Sequence, residues 1–189
     1  MSPSTPSRRL LATVGACGLV LTACGGSEDT VAAPGSATPS ATATLECPSK
    51  AVEVDPPAGS TTDLSTKPVV APATTPAPTE LQYADIVVGD GAEAVAGSRA
   101  ELKYVGAFYE SGMEFDSSWS QGADKTLPVG VCRQGGTIPG FAIGPTGMKV
   151  GGRRLITIPS ALGYGPEGRP PVIPGGATLV FVVDLVTVE

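Results

Sequence analysis

Residues 178–188 read TLVFVVDLVTV. β-Branched and aromatic residues dominate, and apolar side chains fall on both faces of an extended chain drawn through them. That is the pattern of a strand covered on both sides near the middle of a sheet. Working outward, Leu81–Val88 alternates loosely and ends in the turn signal Gly89-Asp90-Gly91. Ala100–Tyr109 is strand-like and closed by Glu110-Ser111-Gly112, and Met113–Asp116, Thr126–Val129 and Arg153–Ile158 (RRLITI) are shorter strands. Arg153-Arg154 reads as a charge pair at a strand edge, facing solvent. Phe141–Met148 (FAIGPTGM) is the single helix candidate, and Pro145 removes a backbone donor near its end. Many strands and one short helix predict an α+β domain, an antiparallel, strongly curved β-sheet wrapped over one short α-helix.

Composition locates that domain and narrows its chemistry. All nine aromatic residues lie between Tyr83 and Phe181, so the core belongs to residues 80–189. The 189-residue chain has no His, which excludes Ser-His-Asp and Cys-His nucleophilic centres and His-ligated zinc. With 18 acidic against 12 basic residues, binding to a phosphate backbone is not expected. The 25 Gly and 19 Pro are high for a compact enzyme and imply a linker.

The first 23 residues read as an address. Arg8-Arg9 precede the apolar run Leu10–Leu21, too short to span a bilayer. Leu21-Thr22-Ala23-Cys24 followed by Gly-Gly-Ser resembles a bacterial lipoprotein box, in which the Cys is acylated and becomes the new N-terminus. The expected location is therefore extracytoplasmic, on the outer face of the cell membrane, held by a lipid on Cys24. Residues 24–79 read as a Pro/Thr/Ala-rich tether. Residues 25–79 hold nine Pro, ten Thr and ten Ala and no aromatic residue, too little apolar surface to offset the entropy of ordering. Lys67-Pro68-Val69-Val70 is the one stretch expected to lie along a sheet edge, where Pro is tolerated. After loss of Cys17 and acylation of Cys24, Cys47 and Cys132 remain, a pair expected to form a disulfide outside the cytosol.

Six motifs in register then carry a resemblance. Tyr104-Val105-Gly106, Phe115-Asp116-Ser117-Ser118, Ile138-Pro139-Gly140-Phe141, Gly147-Met148-Lys149-Val150-Gly151, Tyr164-Gly165 and Ile173-Pro174 with Ala177-Thr178-Leu179-Val180-Phe181 are similar in order and spacing to the FKBP-type peptidyl-prolyl cis-trans isomerases. The match covers about the whole of 80–189. The signal and tether resemble those of membrane-anchored bacterial members.

The resemblance implies an apolar pocket. Phe141 takes the floor position, where the family usually has Trp. Tyr104, Phe115, Ile138 and Phe181 would be its walls. Ile138 would also offer its backbone N–H, and Tyr164 its hydroxyl, to substrate carbonyls. Asp116 would turn a carboxylate to the pocket edge, and Val172 and Ile173 would line the loop above. Taken singly, the aromatic residues read as core and Asp116 as a turn residue; their joint register argues otherwise. Trp119 is expected to pack under the Phe115–Gly130 segment. Two departures stand out: Gln121 replaces an Arg that normally neighbours the Asp, which should leave Asp116 less constrained, and Lys125 replaces an aromatic.

The function so implied is prolyl isomerisation, assisting the folding of exported proteins and needing no cofactor. The partners would be X-Pro segments and macrolides of the tacrolimus or rapamycin type, with the chain a monomer. The alternative is an FKBP-like module that binds Pro-containing segments with little turnover. A two-lobed solute-capturing clamp does not fit into 110 residues. The cysteine pairing is checked by thiol titration of the unreduced chain without residues 1–24: no reactive thiol is expected, and two would refute the bond.

Overall fold

The computed structural model describes Cys47 and residues 51–122 and 125–189. These form seven strands and one short helix: β1 (Val52–Glu53), β2 (Gln82–Val87), β3 (Arg99–Phe108), β4 (Glu114–Ser117), β5 (Leu127–Gly130), α1 (Pro139–Ile143), β6 (Arg153–Ile158) and β7 (Leu179–Val188). One sheet runs β1-β2-β6-β7-β3-β4, and β5 pairs with β3 beside β4. Every pairing is antiparallel except β1 with β2, which is parallel, a correction to the all-antiparallel expectation.

The TLVFVVDLVTV stretch is strand β7, flanked by β6 on one side and β3 on the other. Alternation along a strand sends successive side chains to opposite faces. Leu179, Phe181, Val183 and Leu185 therefore enter one core, with Leu102, Tyr104, Ile156, Ile158, Phe141 and Ile143. Val180 and Val182 enter a second, with Val70, Val105 and Ala107. Helix α1 belongs to the first face. It starts two residues before the expected Phe141, because Pro139 suits the first helical position. It stops at Ile143, since Pro145 has no N–H to continue the ladder.

The second face is covered by residues that were expected to be a free tether. Signal residues 1–23 and residues 24–46 lie outside the described residues. From Ala51 onward, however, the chain packs on the domain. Val52 and Val54 donate to the Leu81 and Tyr83 carbonyls, at 2.8 and 2.9 Å. Lys67–Val70 forms no strand; it crosses the sheet face and buries Val70. The composition of this segment is that of a linker, but its partner is an apolar sheet face built on Val105, Ala107, Val180 and Val182, and its polar anchoring comes from a side chain of the sheet.

That anchor is Arg153. Far from solvent, it is fully buried, as is its neighbour Arg154 at 4% exposure. Arg153 Nε and Nη2 donate to the two carboxylate oxygens of Asp184 at 2.5 and 2.7 Å. Its remaining N–H groups reach Thr61 O (2.9 Å), Asp63 O (3.0 Å) and Thr66 O (3.1 Å). Arg154 points to the other face, paired with Asp85 at 2.7 and 2.9 Å and donating to Gly144 O and Thr146 O just beyond α1. Both were misread because neither buried partner is near them in sequence.

Breaking a buried pair leaves an uncompensated charge. Arg153→Ala should therefore lower unfolding free energy by about 3–5 kcal/mol. Urea denaturation reads this directly, and a loss below about 1 kcal/mol, the surface-pair range, would contradict the burial.

Candidate functional site

On the α1 face, four elements bring aromatic rings together. Tyr104 comes from β3, Phe115 from β4, Phe141 from α1 and Phe181 from β7. Phe141 and Phe181 meet edge-to-face at 4.7 Å between centroids, Tyr104 and Phe141 at 5.8 Å, and Phe115 and Phe181 at 5.7 Å. Tilted and T-shaped contacts of this kind set the edge of one ring against the face of another. Phe141, Phe181 and Tyr104 are buried, whereas Phe115 is half-buried. Gly106 makes the arrangement possible: a Cβ there would stand 2.8 Å from a Phe181 ring carbon and 2.9 Å from one of Phe115. The glycine of Tyr104-Val105-Gly106 is thus the gap through which two rings lie against β3.

Polar groups sit at the rim. Tyr104 Oη donates to Asp116 Oδ2 at 2.8 Å, and the Ser117 N–H donates to Asp116 Oδ1 at 2.8 Å. Asp116 is exposed. Despite Gln121 it is therefore constrained, by a phenol and a backbone amide in place of a guanidinium. Burial, then the bond to Asp116, pushes the Tyr104 phenol well above its usual range. Ile138 caps the N-terminus of α1, and its N–H has no protein acceptor among the described residues. Tyr164 is half-buried against the same core, with the Arg169 guanidinium 5.9 Å from its ring centroid. Its hydroxyl has no partner among the described residues. Ile173 is buried in that core, while Val172, in the same loop, is 56% exposed.

The structure thus brings Tyr104, Phe115, Asp116, Phe141 and Phe181 into contact, with Ile138, Tyr164 and Ile173 packed on the same cluster. Phe108 was missed. Its ring lies 5.1 Å from that of Phe115, and its position two residues beyond Gly106 on the same strand face was the available signal. Trp119 packs on the second face, with Lys103 Nζ 4.9 Å above its ring, and takes no part in the aromatic cluster. Gln121 and Lys125 are exposed. The structure bonds Cys132, in the loop before α1, to Cys47, with Cα atoms 5.5 Å apart. Among the described residues no group of His, Cys, Asp or Glu could hold a metal ion. A cleft of about 410 Å³ lies on the opposite face, between residues 54–75 and the sheet. Its sheet-side residues Ala84, Val180 and Val182 are at most 4% exposed, so the overlying segment already occupies that surface.

Comparison with known proteins converges on one family. Residues 91–186 match the family model described as FKBP-type peptidyl-prolyl cis-trans isomerase. A probable FK506-binding protein of Corynebacterium glutamicum is 46% identical over 121 residues, which cover 64% of this chain and 98% of that protein. The peptidyl-prolyl cis-trans isomerase FPR2 of Saccharomyces cerevisiae is 44% identical over 97 residues, 51% of this chain and 70% of that one. The crystal structure of FkpA from Escherichia coli superposes with a TM-score of 0.51 at 32% identity, spanning 64% of this chain and 52% of that one.

The geometry around Tyr104 makes a pH prediction. Unfolded tyrosines ionise near pH 10. Tyr104 keeps its proton above that pH when folded, as does Tyr83, held up by burial and the nearby Glu53. The folded state then binds more protons, so this stabilisation is complete below pH 10 and lost as pH rises beyond it. Tyr104→Phe should flatten the loss of stability above pH 10 and remove a late-titrating phenol from the native ultraviolet titration. An unchanged titration would refute the environment assigned to Tyr104.

Proposed function

The chain belongs to the FKBP-type peptidyl-prolyl cis-trans isomerases, and we propose that its aromatic cluster is the pocket in which it twists X-Pro bonds of exported proteins. The observation that carries this is the convergence of Tyr104, Phe115, Phe141 and Phe181 from four separate elements, rimmed by donors that have no acceptor among the described residues.

The reaction breaks no covalent bond. Its barrier, about 18–20 kcal/mol, is the loss of amide resonance. A twisted amide is less polar than a planar one, so a site walled by hydrocarbon favours the transition state over the ground state, which is what catalysis requires. Proline fits because its ring is apolar and its tertiary amide already has a reduced trans preference. In this reading Phe141 is the floor. Tyr104, Phe115, Ile138 and Phe181 are walls, and Ile173 closes the loop side. The Ile138 N–H and the Tyr164 hydroxyl hold carbonyls flanking the proline. Asp116, held by Tyr104, orients the amide at the edge. No general base or nucleophile is needed, in keeping with a chain that has no His.

The same reading places the enzyme outside the cytosol, on a lipid at Cys24, where proteins emerge unfolded. The lipoprotein-like motif and the Cys47–Cys132 pair support this. X-Pro segments of unfolded chains are the substrates, and macrolides of the FK506 type would compete for the pocket.

The test is proline-limited refolding of a model protein with the purified chain added, with and without such a macrolide. Acceleration abolished by the drug is expected. A folded chain that gives no acceleration would favour a module that only binds Pro-containing segments. Tyr164→Phe should lower kcat/KM by roughly two- to tenfold, the worth of one hydrogen bond. Phe181→Leu, which keeps an apolar side chain in place, should lower it further. If both variants match the parent, the pocket assignment fails.

A further inference from the structure

Two of the pocket residues ride on a weakly supported strand of the sheet. β4 is four residues long, pairs with β3 alone, and has a register shift opposite Gly106 and Ala107. Short edge strands with one partner are where sheets open first. Phe115 and Asp116 nonetheless have to stand in fixed positions against Phe181 and Tyr104.

The support comes from the other face. Residues 61–76 cross it and grip the turn that leads into β4. The Ala73 N–H donates to Tyr109 O at 3.0 Å. Tyr109 Oη is hydrogen-bonded to Thr75 Oγ1 at 2.9 Å and donates to Pro76 O at 3.3 Å. Lys67 Nζ lies 2.8 Å from Glu114 Oε1, one residue before Phe115. At Gly112, a Cβ would stand 2.6 Å from Val70 O and 2.9 Å from Pro72 N, so the crossing backbone lies directly on the turn. Gly112 also has φ +66°, a conformation that side chains other than glycine rarely adopt. The crossing segment is itself fixed at residues 61–66 by Arg153.

We infer that residues 61–76 are a positioning strap for the proline pocket: by gripping Tyr109, Gly112 and Glu114 from behind, they set where Phe115 and Asp116 stand. The inference rests on the isomerase reading above and extends it to residues that touch no substrate. Differential binding of a twisted amide depends on the placement of the walls, and displacements well below a side-chain diameter matter to rate. A sheet without this strap would leave the start of β4, at Glu114, with one ladder pair to β3, since the side-chain bonds to Tyr104 all lie at Asp116 and beyond.

The experiment uses the full chain and three variants: Tyr109→Phe, Lys67→Glu, and Lys67→Glu combined with Glu114→Lys. Values of kcat and KM are measured separately on an X-Pro peptide, together with amide hydrogen exchange over residues 114–117. Tyr109→Phe should lower kcat/KM about three- to tenfold and Lys67→Glu about twofold or more, each with faster exchange in β4. The charge swap should return kcat/KM to within about twofold of the parent, which assigns the loss to this pair, and the effect should fall on kcat more than on KM, a split that a merely stabilising contact would not give. An active parent with both single variants unchanged in kcat/KM overturns the inference, as does a loss that the swap fails to restore. A parent with no activity overturns the isomerase reading instead. Exchange then judges the strap alone: faster exchange at β4 in Tyr109→Phe supports the grip, and unchanged exchange refutes it.

Discussion

A buried guanidinium is the constraint on which the two-faced arrangement depends. Arg153 has five N–H donors, and all are engaged: two by the Asp184 carboxylate and three by the carbonyls of Thr61, Asp63 and Thr66. An irregular segment laid over a sheet must find partners for its backbone groups, because a buried carbonyl without a donor costs free energy. Arg153 answers that need from within the sheet. The ion pair by itself need not be more stabilising than a well-packed apolar pair. An apolar replacement, however, would leave the Thr61 and Thr66 carbonyls without donors, Asp63 O keeping only the Thr66 N–H, so exchanging Arg153 for hydrocarbon carries a cost while the segment stays in place.

Its neighbour does the same work in the opposite direction. Because side chains alternate along a strand, Arg154 reaches the α1 face. There it meets Asp85, the carbonyls of Gly144 and Thr146 beyond the helix, and the ring of Tyr83 at 4.2 Å. One dipeptide in β6 thus ties down both layers covering the sheet. Between those layers runs β3, which presents Tyr104, Gly106 and Phe108 to the aromatic face and Val105 and Ala107 to the strap. Whatever displaces one layer is felt by the other through this strand.

The strands were legible because their information is local. The β-branched run of β7, the RRLITI of β6 and the Gly-flanked ends of β2 and β3 each lie within one segment, and the structure shifts their bounds by a residue or so. Tyr104, Phe115, Phe141 and Phe181 were legible through the register of several motifs, not through any one of them. What was not legible depends on partners distant in the chain. Arg153 reads as a surface charge until Asp184 and Thr61 are beside it. Residues 51–79 read as linker because composition measures what a segment buries by its own side chains, and here the apolar surface and the buried donors belong to the sheet. Asp116 was expected to be less constrained without a neighbouring Arg; the bond it accepts from a phenol on the adjacent strand leaves no mark in the local pattern.

That last substitution bears on how the site works. A guanidinium beside a carboxylate would pair with it as a cation, whereas the Tyr104 hydroxyl donates a single hydrogen bond. Asp116 is therefore oriented by a hydrogen bond while remaining exposed to solvent. Tyr104 bears the counterpart of this arrangement. It holds its proton more firmly, first because it is buried and then because the Asp116 carboxylate accepts its hydrogen bond. The wall residue and the rim residue are thus one hydrogen-bonded unit. Orientation of Asp116 is obtained from a neutral hydrogen-bond donor, and the interior of the cluster is left to hydrocarbon, the environment that the proposed reaction through a twisted amide would favour.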